Sequence, residues 1–270
     1  MSSPTQVCVF GLGEAGSLIA RDLAALGVDV HGYDPADVET PEGVKRHDDP
    51  RAAANGADLV LGITAAADAT TALTQALDTI RRGAIYADLA TAAAGLERRL
   101  GDVAAGAGLG FVDVALMSAV PGNGVHTPAL ASGPAASAFI ETMAPLGMRV
   151  DHVGDEPGRA ATHKLLRSVV MKGLAAVVIE SMVAAETVGL AGETWDNVVG
   201  QLAEADETFI RRLVIGTSRH ATRRIHEMEA TAALLDDLGV EATMTRATAA
   251  QLHRVAADPT VVPRLPDRRE

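Results

Sequence analysis

Short apolar runs alternate with stretches of helical periodicity through the first half of the chain. The apolar, β-branched runs predict strands at residues 6–10, 28–33, 43–47, 59–64, 84–89 and 109–114. The segments between them have the apolar spacing of helices at residues 14–27, 66–82 and 93–107. Two more strands are predicted at 130–132 and 148–153, around a helix that begins at 133–134. This alternation indicates βαβ units, and therefore a mostly parallel sheet with helices on both faces.

The pattern changes after Gly154, where only helices are predicted. Residues 159–190 contain no proline and predict one helix, far longer than the average of about 11–12 residues. Its centre, residues 169–185, is apolar on nearly every side and needs cover all round, for which a partner subunit is the simplest source. Further helices are predicted at 193–204, 206–217, 219–238 and 241–256. We therefore predict an α/β domain at residues 1–154 and an all-α substrate and dimerisation domain at residues 155–270.

Composition narrows the class of protein. Acidic side chains exceed basic ones by 35 to 23, and the net charge of −12 argues against binding nucleic acid or an anionic membrane surface. The single cysteine, Cys8, forms no internal disulfide and no cysteine-based metal site, which is typical of a cytoplasmic protein. The sequence contains no uninterrupted apolar run of about 18 residues, so no transmembrane span is predicted. The first residues also lack the pattern of a signal peptide.

A glycine-rich turn directly follows the first predicted strand and opens the first predicted helix. Its G-x-G-x-x-G pattern consists of Gly11, Leu12, Gly13, Glu14, Ala15 and Gly16. The first glycine permits a tight turn, the second lets a pyrophosphate approach the backbone, and the third lets helix and strand pack closely. The N-terminus of the helix then offers free N–H groups to phosphate oxygens. These six residues predict a dinucleotide-binding site.

The choice of dinucleotide depends on Asp34, which ends the second predicted strand. An acid at this distance from the glycines accepts hydrogen bonds from the ribose hydroxyls of adenosine and repels a 2′-phosphate. Asp34 therefore favours NAD as the cofactor, with NADP left open. The alternative is an ordinary Asp-Pro turn, because Pro35 comes next.

Lys164 is the best candidate for a group that moves a proton. It lies near the start of the long helix among mostly apolar helical neighbours, and Ser168 follows one turn later on the same face. Partial burial and the positive end of the helix dipole predict a lowered pKa for Lys164, which suits a general acid/base. The alternative is a solvated lysine whose ammonium extends outward from the helix end.

The whole chain resembles the β-hydroxyacid dehydrogenase superfamily, to which 3-hydroxyisobutyrate and 6-phosphogluconate dehydrogenases belong. The glycine turn and residues 31–35 (HGYDP) are similar to its cofactor fingerprint. Residues 158–164 (GRAATHK) resemble its catalytic helix motif, in which a glycine precedes the lysine by six residues. The closest likeness is to a bacterial branch with a phosphogluconate-dehydrogenase-like C-terminal domain. The resemblance implies a Rossmann-like α/β domain, an all-α domain built around one long helix, and a homodimer through residues 159–190.

The resemblance also implies an NAD(P)-dependent dehydrogenase in which Lys164 acts as general acid/base on a substrate hydroxyl. It implies cofactor or substrate contacts for Thr64 and Thr91, in the loops after the fourth and fifth strands; capping of the following helices is the alternative. The expected substrate is a small hydroxyacid or a sugar-acid-like molecule with an anionic group. Imine reductases share the architecture but usually carry aspartate or tyrosine where this chain has Lys164. A non-catalytic regulator that binds NAD(P)(H) is a third alternative.

Two positions depart from the family pattern. Met117 stands where the substrate loop of the family carries a serine, so Ser118 and the loop at residues 121–124 are candidates to bind the anionic group instead. Ser118 as a plain turn residue is the alternative. Ser168 stands where the family has an asparagine, and it is shorter, with one donor in place of two. We nevertheless predict Lys164, Ser168 and Ser118 as the catalytic set.

Charged side chains cluster on one predicted helix near the C-terminus. They are His220, Arg223, Arg224, His226, Glu227 and Glu229. No two of these histidines have the i,i+4 spacing of a helical zinc site, so we predict no metal and a solvated or dimer-contacting face. The alternative gives Arg223 or Arg224 a bidentate bond to an anionic substrate.

Overall fold

The computed structural model describes residues 6–266, and its first part is built on one eight-stranded sheet. The strands are β1 (Gln6–Phe10), β2 (Asp29–Tyr33), β3 (Lys45–Arg46), β4 (Leu59–Gly62), β5 (Ile85–Asp88), β6 (Gly110–Leu116), β7 (Ala129–Ser132) and β8 (Val150–His152). Their order across the sheet is β3-β2-β1-β4-β5-β6-β7-β8. All neighbouring strands are parallel except β6 and β7, which are antiparallel.

The sheet is buried on both faces, which explains why most of its strands appear in the sequence as continuous apolar runs. Alternate side chains of β1 enter opposite cores, with Val7 and Val9 in one apolar cluster and Cys8 and Phe10 in the other. A parallel sheet needs cover on both faces because its crossover connections place helices there. The predicted Rossmann-like α/β domain with a mostly parallel sheet is confirmed.

The helices between these strands agree with the sequence in order but not always in length. They are α1 (Glu14–Ala25), α2 (Pro50–Ala54), α3 (Ala69–Thr74), α4 (Ala94–Gly106) and α5 (Ala136–Met143). The sequence pattern misses α2, because five residues are too few to show a helical period; it begins with Pro50 and is capped by Asp49. The helix predicted at 66–82 is observed only as α3, half of whose residues are β-branched threonines of low helix propensity.

The second part of the chain is helical, as predicted. It contains α6 (Arg159–Thr187), α7 (Ala191–Ala203), α8 (Glu207–Asp237), α9 (Thr243–Ala257) and a 3-10 turn at Pro259–Val261. α8 joins the helices predicted at 206–217 and 219–238, but it kinks at His220, whose φ of −121° and ψ of 17° are not helical. Glu180 of α6 accepts hydrogen bonds from the N–H groups of Met244 and Thr245 and so ties α6 to the start of α9.

The chain divides into two compact units, Met1–Ser168 and Val169–Glu270. The boundary falls inside α6, so the first turns of that helix belong to the same unit as the sheet. The predicted division at residues 154 and 155 follows instead the change from strands to helices and stays a prediction. Its outer limits, residues 1 and 270, lie outside the described residues.

Much of α6 is exposed to solvent in the single chain. Its most exposed large apolar side chains are Leu166, Val169, Val170 and Ile179, at 66%, 72%, 67% and 63% accessibility. By length and composition alone, α6 is the one helix of the described chain that could cross a membrane, and a single such helix is weak evidence for a span. Residues 6–266 of the single chain therefore do not supply the all-round cover predicted for this helix.

Candidate active site

The glycine turn after β1 forms a tight connection whose outer glycines are required by packing. Gly11 has a φ of +92°, and its N–H donates to the Tyr33 carbonyl. A Cβ atom on Gly11 would lie 2.2 Å from the Ile63 carbonyl oxygen. A Cβ atom on Gly16 would lie 1.9 Å from the Gly11 carbonyl oxygen. Neither position has room for a side chain, whether or not a ligand is bound.

The middle glycine, Gly13, is not required by packing within the protein. Gly13 caps α1 with an extended backbone, and a Cβ atom on it would meet no protein atom within 4 Å. Gly13 and Glu14 are exposed and Ala15 is half-buried, whereas Leu12 points into the core. The first turn of α1 is therefore open to solvent on the side where a pyrophosphate would approach its N–H groups. This open cradle fits a bound dinucleotide.

Asp34 connects the end of β2 to the glycine turn. Its Oδ2 accepts a hydrogen bond of 2.7 Å from the Leu12 N–H, and its Oδ1 accepts one of 2.8 Å from the Ala36 N–H. The second bond is the Asp-Pro turn that the sequence left as an alternative. Each carboxylate oxygen has a further lone pair, so the turn does not prevent bonds from ribose hydroxyls.

A small cavity of about 100 Å³ lies beside the glycine turn, between the ends of β1, β2 and β4. Its mostly apolar lining is suited to one face of a flat ring such as adenine. Of the lining residues, Gly11 and Thr64 were predicted as cofactor contacts and Pro35 only as part of a turn. The residues missed are Phe10, Tyr33, Asp68, Thr71, Ala72 and Gln75. They come from three separate segments, and only the strand order brings them together.

Thr64 and Thr91 lie in the loops where they were predicted, and neither acts as a helix cap. The cap position of α3 is Asp68, while the Thr64 hydroxyl donates to the neighbouring Ala65 carbonyl at 3.3 Å. The cap position of α4 is Ala93, and Thr91 is exposed in the loop after β5. With capping excluded, contact with cofactor or substrate stays the prediction for both threonines.

Lys164 and Ser168 lie on the first turns of α6, within the unit that contains the glycine turn. Both side chains are half-buried, whereas Leu165, Leu166 and Arg167 between them are exposed. One helical turn separates them, so they share a face of α6. A fully solvated lysine is therefore not observed, and the catalytic role of the pair stays a prediction.

The loop after β6 carries the residues predicted to replace the family serine. Ser118 is exposed and Met117 half-buried, and the Ser118 hydroxyl makes only a long, 3.5 Å bond to the Ala119 carbonyl. The 121–124 segment forms a turn with a φ of +84° at Gly122. Val125, just after it, donates its N–H to the Asp22 carboxylate of α1 at 3.0 Å. The loop is thus tethered to the helix that follows the glycine turn.

Three of the six members of the charged cluster on α8 are paired within that helix, and Glu229 is paired with His253 of α9. The Arg223 guanidinium bonds to the Glu227 carboxylate, and that of Arg224 bonds to the Thr217 hydroxyl. Among residues 6–266, no group of three or more histidine, cysteine or acidic side chains has an arrangement that would hold a metal ion.

Sequence reasoning missed a row of buried polar side chains across β5, β6 and β7. Asp88 is paired in register with Asp113, and Asp113 with Ser132. Glu97 of α4 adds a third fully buried carboxyl group. The available signal was an acid placed in each of two successive apolar strands, at 85–88 and 110–116.

Burial governs the ionisation of this group. It raises the pKa of Glu97 and the pKa of Asp88 above their usual values, and repulsion from the neighbouring carboxylates raises the pKa of Glu97 further. Burial also raises the pKa of Asp113, against the opposing effect of the N–H and hydroxyl donors on its carboxylate. Glu97, which lies beside Asp88, therefore holds a proton at neutral pH.

Glu97→Gln is expected to change the pH dependence of stability. The folded state holds the Glu97 proton to a higher pH than the unfolded state does, so the free energy of unfolding falls as pH rises above the ordinary glutamate pKa. The slope contributed by one such group is about 1.4 kcal/mol per pH unit. Glutamine keeps the shape of the side chain but does not ionise, so it removes this slope. Urea unfolding at pH 5 to pH 8 should therefore show a flatter profile for the variant, which becomes the more stable protein at pH 8.

Glu141→Gln provides the control, because Glu141 is an exposed glutamate on α5 of the same unit. Its profile should match that of the unmodified chain. A Glu97→Gln profile that also matches would mean that Glu97 ionises normally.

The fold and the glycine turn define a dinucleotide-binding domain of the Rossmann type. Residues 6–145 match the family described as the NAD binding domain of 6-phosphogluconate dehydrogenase, and residues 185–255 match a domain of unknown function, DUF1932. The chain therefore belongs to the 6-phosphogluconate dehydrogenase-like NAD-binding family, and the predicted architecture of the β-hydroxyacid dehydrogenases is confirmed. NAD(P) as cofactor is confirmed with it. No curated protein matches the chain.

Solved structures share the fold over nearly the whole length. A conserved hypothetical protein from Sinorhizobium meliloti is 27% identical, covers 95% of this chain and 91% of its own, and has a TM-score of 0.59. An imine reductase from Aspergillus terreus is 17% identical, with coverages of 97% and 96% and a TM-score of 0.77. An imine reductase from Streptomyces aurantiacus is 22% identical, with coverages of 94% and 95% and a TM-score of 0.75. At these identities the two reductases establish the fold alone.

Proposed function

We propose that the chain is an NAD(P)-dependent oxidoreductase that acts on the CH–OH group of a small anionic hydroxyacid or sugar-acid-like molecule. The observation that carries this proposal is the half-buried Lys164, on the first turns of α6 and in the same unit as the dinucleotide cradle. A lysine in this setting is partly desolvated, and desolvation favours the neutral amine that general-base chemistry needs. A cytoplasmic location belongs to the same proposal, supported by the lone, buried Cys8.

The proposed mechanism divides the work between the cofactor and the chain. When bound, the nicotinamide supplies hydride transfer in either direction. The neutral Lys164 amine takes the proton from the substrate hydroxyl oxygen in oxidation, and the ammonium returns it to the carbonyl oxygen in reduction. Ser168, on the same face of α6, holds that oxygen by a hydrogen bond. Ser118 and the Gly122 N–H bind the anionic group, because Pro121 has no N–H and the N–H groups of Asn123 and Gly124 donate to the Val120 carbonyl.

Asp34 supports NAD as the preferred form of the cofactor. Its carboxylate lies at the end of β2, held by the Leu12 and Ala36 N–H groups, and its remaining lone pairs suit the two ribose hydroxyls. A 2′-phosphate at the same place would repel it. The binding residues proposed for NAD are the glycine turn, Asp34, Thr64 and Thr91.

Imine reduction is the second candidate function. It is favoured by the fold shared with the two imine reductases, each of which aligns with at least 94% of this chain. Reduction of C=N needs the same hydride donor and a proton for the nitrogen, which a Lys164 ammonium also supplies. The two functions therefore differ in the substrate and not in the set of residues.

A substrate screen tests the proposal. The chain would be incubated with hydroxyacids, sugar acids, aldehydes and imines together with each of NAD⁺, NADP⁺, NADH and NADPH, while the absorbance of the reduced nicotinamide is followed. Turnover of an anionic hydroxyacid with a preference for NAD is the expected result. Turnover of imines alone would select the second candidate. Tight binding of NAD(H) without turnover of any substrate would indicate a regulator.

A homodimer through residues 159–190 is part of the proposal. Its support is the apolar surface of α6 and an apolar cavity of about 460 Å³ among α6, α8 and α9, lined by side chains such as Val177, Leu234 and Leu235. Val170→Glu, on exposed α6, is expected to convert the dimer to a monomer, because a charge in an apolar interface is costly to bury. Light scattering coupled to size-exclusion chromatography would report the mass.

The matched control is Leu26→Glu, which places the same charge at an exposed leucine at the end of α1 and should leave the mass unchanged. An unmodified chain that is monomeric at every concentration would contradict the homodimer. Binding of that monomer to lipid vesicles would assign the α6 surface to a membrane.

A further inference from the structure

The first turn of α6 has no capping side chain of its own. The position before the helix is Gly158, which has a φ of +95°. A Cβ atom there would lie 2.7 Å from the Ala94 Cα atom of α4, so only glycine fits. Helix N-termini leave N–H groups without intrahelical partners, and here these groups are buried. Their acceptors must come from elsewhere in the fold.

Two adjacent strands supply those acceptors. The Asp113 Oδ2 atom of β6 accepts hydrogen bonds from the N–H groups of Gly158, at 2.9 Å, and Ala161, at 3.0 Å. The Ser132 Oγ atom of β7 accepts one from the Ala160 N–H at 2.9 Å and donates its own hydrogen to Asp113 Oδ2 at 2.9 Å. The sheet therefore performs the capping that a side chain at the N-cap usually provides.

The same carboxylate connects the two segments to which the proposed function assigns the substrate. Asp113 lies on β6, and that strand leads directly into the loop of Met117 and Ser118. Its bond to Ala161 fixes the helix less than one turn before Lys164. Any movement of α6 relative to β6 must first break these buried, charge-assisted bonds, which are among the strongest hydrogen bonds in proteins.

The charges that face Asp113 keep the carboxylate where it is. Asp88 lies beside it on β5, and Glu97 covers both from α4. The Asp113 Oδ1 atom finds no hydrogen-bond partner among residues 6–266. Glu97 is protonated, so the Asp88 carboxylate is the group that repels the negative charge of Asp113 on this side. The positive end of the helix dipole attracts that charge toward α6.

We propose that Asp113 is a positioning residue, which acts with Ser132 to hold the first turn of α6 and thereby places Lys164 relative to the loop after β6. The inference rests on the proposed role of Lys164, but the contacts that carry it are independent of the substrate. It assigns to the Asp113 carboxylate a function in the site without direct contact with reactants.

Asp113→Asn tests this inference, because asparagine keeps the shape and removes the charge. Hydrogen–deuterium exchange of the Gly158, Ala160 and Ala161 amides is expected to become about tenfold faster, since a neutral acceptor makes a weaker bond than a carboxylate. Ser132→Ala removes the acceptor of the Ala160 N–H and the hydroxyl donor to Asp113, and it should speed exchange most at the Ala160 amide. It serves as the second variant if Asp113→Asn fails to fold.

The position of Lys164 has its own spectroscopic readout. The chain contains three lysines, Lys45, Lys164 and Lys172, so reductive ¹³C-methylation gives three sets of lysine signals, besides that of the N-terminal amine, and Lys→Arg variants assign them. In Asp113→Asn the Lys164 methyl signal should shift, while the Lys45 signal on β3 stays in place. A loss of stability that is merely general would not single out one lysine.

Asp22→Asn is the matched control, because Asp22 also holds a backbone N–H, that of Val125, by a carboxylate across the fold. It should leave both the amides of residues 158–161 and the Lys164 signal unchanged. Unchanged exchange and an unmoved Lys164 signal in both Asp113→Asn and Ser132→Ala would overturn the inference. Loss of turnover in a Lys164 variant alongside that result would leave the proposed function intact, so the two failures are distinguishable.

Discussion

Lys164→Met is expected to lower turnover of the substrate identified by the screen by at least about a hundredfold, the usual scale for a lost acid–base group. Methionine keeps an unbranched, apolar stem of similar length on the half-buried face of α6 but cannot accept or return a proton. The loss should appear in kcat. NADH affinity, measured by fluorescence titration, should be unchanged because the glycine turn and Asp34 are untouched.

Lys172→Met gives the matched comparison, since Lys172 lies two turns later on the same helix and is exposed. It should keep full turnover. If Lys164→Met also kept full turnover, another group would have to move the proton and the proposed mechanism would be wrong. If Lys164→Met lost NADH binding as well, the lysine would belong to the cofactor site.

The sheet could be predicted from the sequence because its strands are buried on both faces. Such strands appear as unbroken apolar runs, and the runs at 6–10 and 84–89 coincide with β1 and β5 to within two residues at each end. Short elements leave too few residues for a period, which is why α2 was missed. The helix predicted at 66–82 was too long because alanine-rich composition alone does not show where a chain leaves the helix.

The two halves of the candidate site differ in how far apart their residues lie in the sequence. The cofactor half is local in the sequence. One turn carries three glycines, each required for a different purpose, and Asp34 follows at the spacing expected of a ribose-binding acid. The anchoring of α6 is not local, since Asp113, Ser132 and Gly158 come together only through the order of β5, β6 and β7. The sequence showed that Gly158 precedes Lys164 by six residues. Only the structure shows why a glycine is required there, which is its close contact with Ala94.

The departures at Met117 and Ser168 bear on the substrate. Ser118 is exposed and bonded only weakly, so its hydroxyl is available to a ligand, whereas the Met117 side chain offers no donor. Ser168 shares the half-buried face of α6 with Lys164 and reaches less far than an asparagine would. A substrate that approaches Lys164 closely, or one held through a water molecule, would suit the shorter side chain. This expectation guides the choice of hydroxyacids for the screen.

Gly13→Ala is expected to separate cofactor binding from folding. A Cβ atom on Gly13 meets no protein atom within 4 Å, so the free energy of unfolding should change by less than about 0.5 kcal/mol. The same methyl group would stand where the pyrophosphate approaches the backbone, so NADH affinity should fall at least about tenfold. Urea unfolding and fluorescence titration measure the two quantities on one sample.

Gly16→Ala, in contrast to Gly13→Ala, should act mainly by lowering the free energy of unfolding. Its Cβ atom would lie 1.9 Å from the Gly11 carbonyl oxygen, an overlap that the backbone must move to relieve, at a cost of about 1–3 kcal/mol or more in stability. Gly106→Ala, at the end of α4 in open space, serves as the control and should lower neither stability nor affinity. Equal NADH affinity for Gly13→Ala and the unmodified chain would mean that the pyrophosphate lies elsewhere. In that case the open cradle at α1 would not be the cofactor site, and the proposal that Lys164 works together with a cofactor bound there would lose its support.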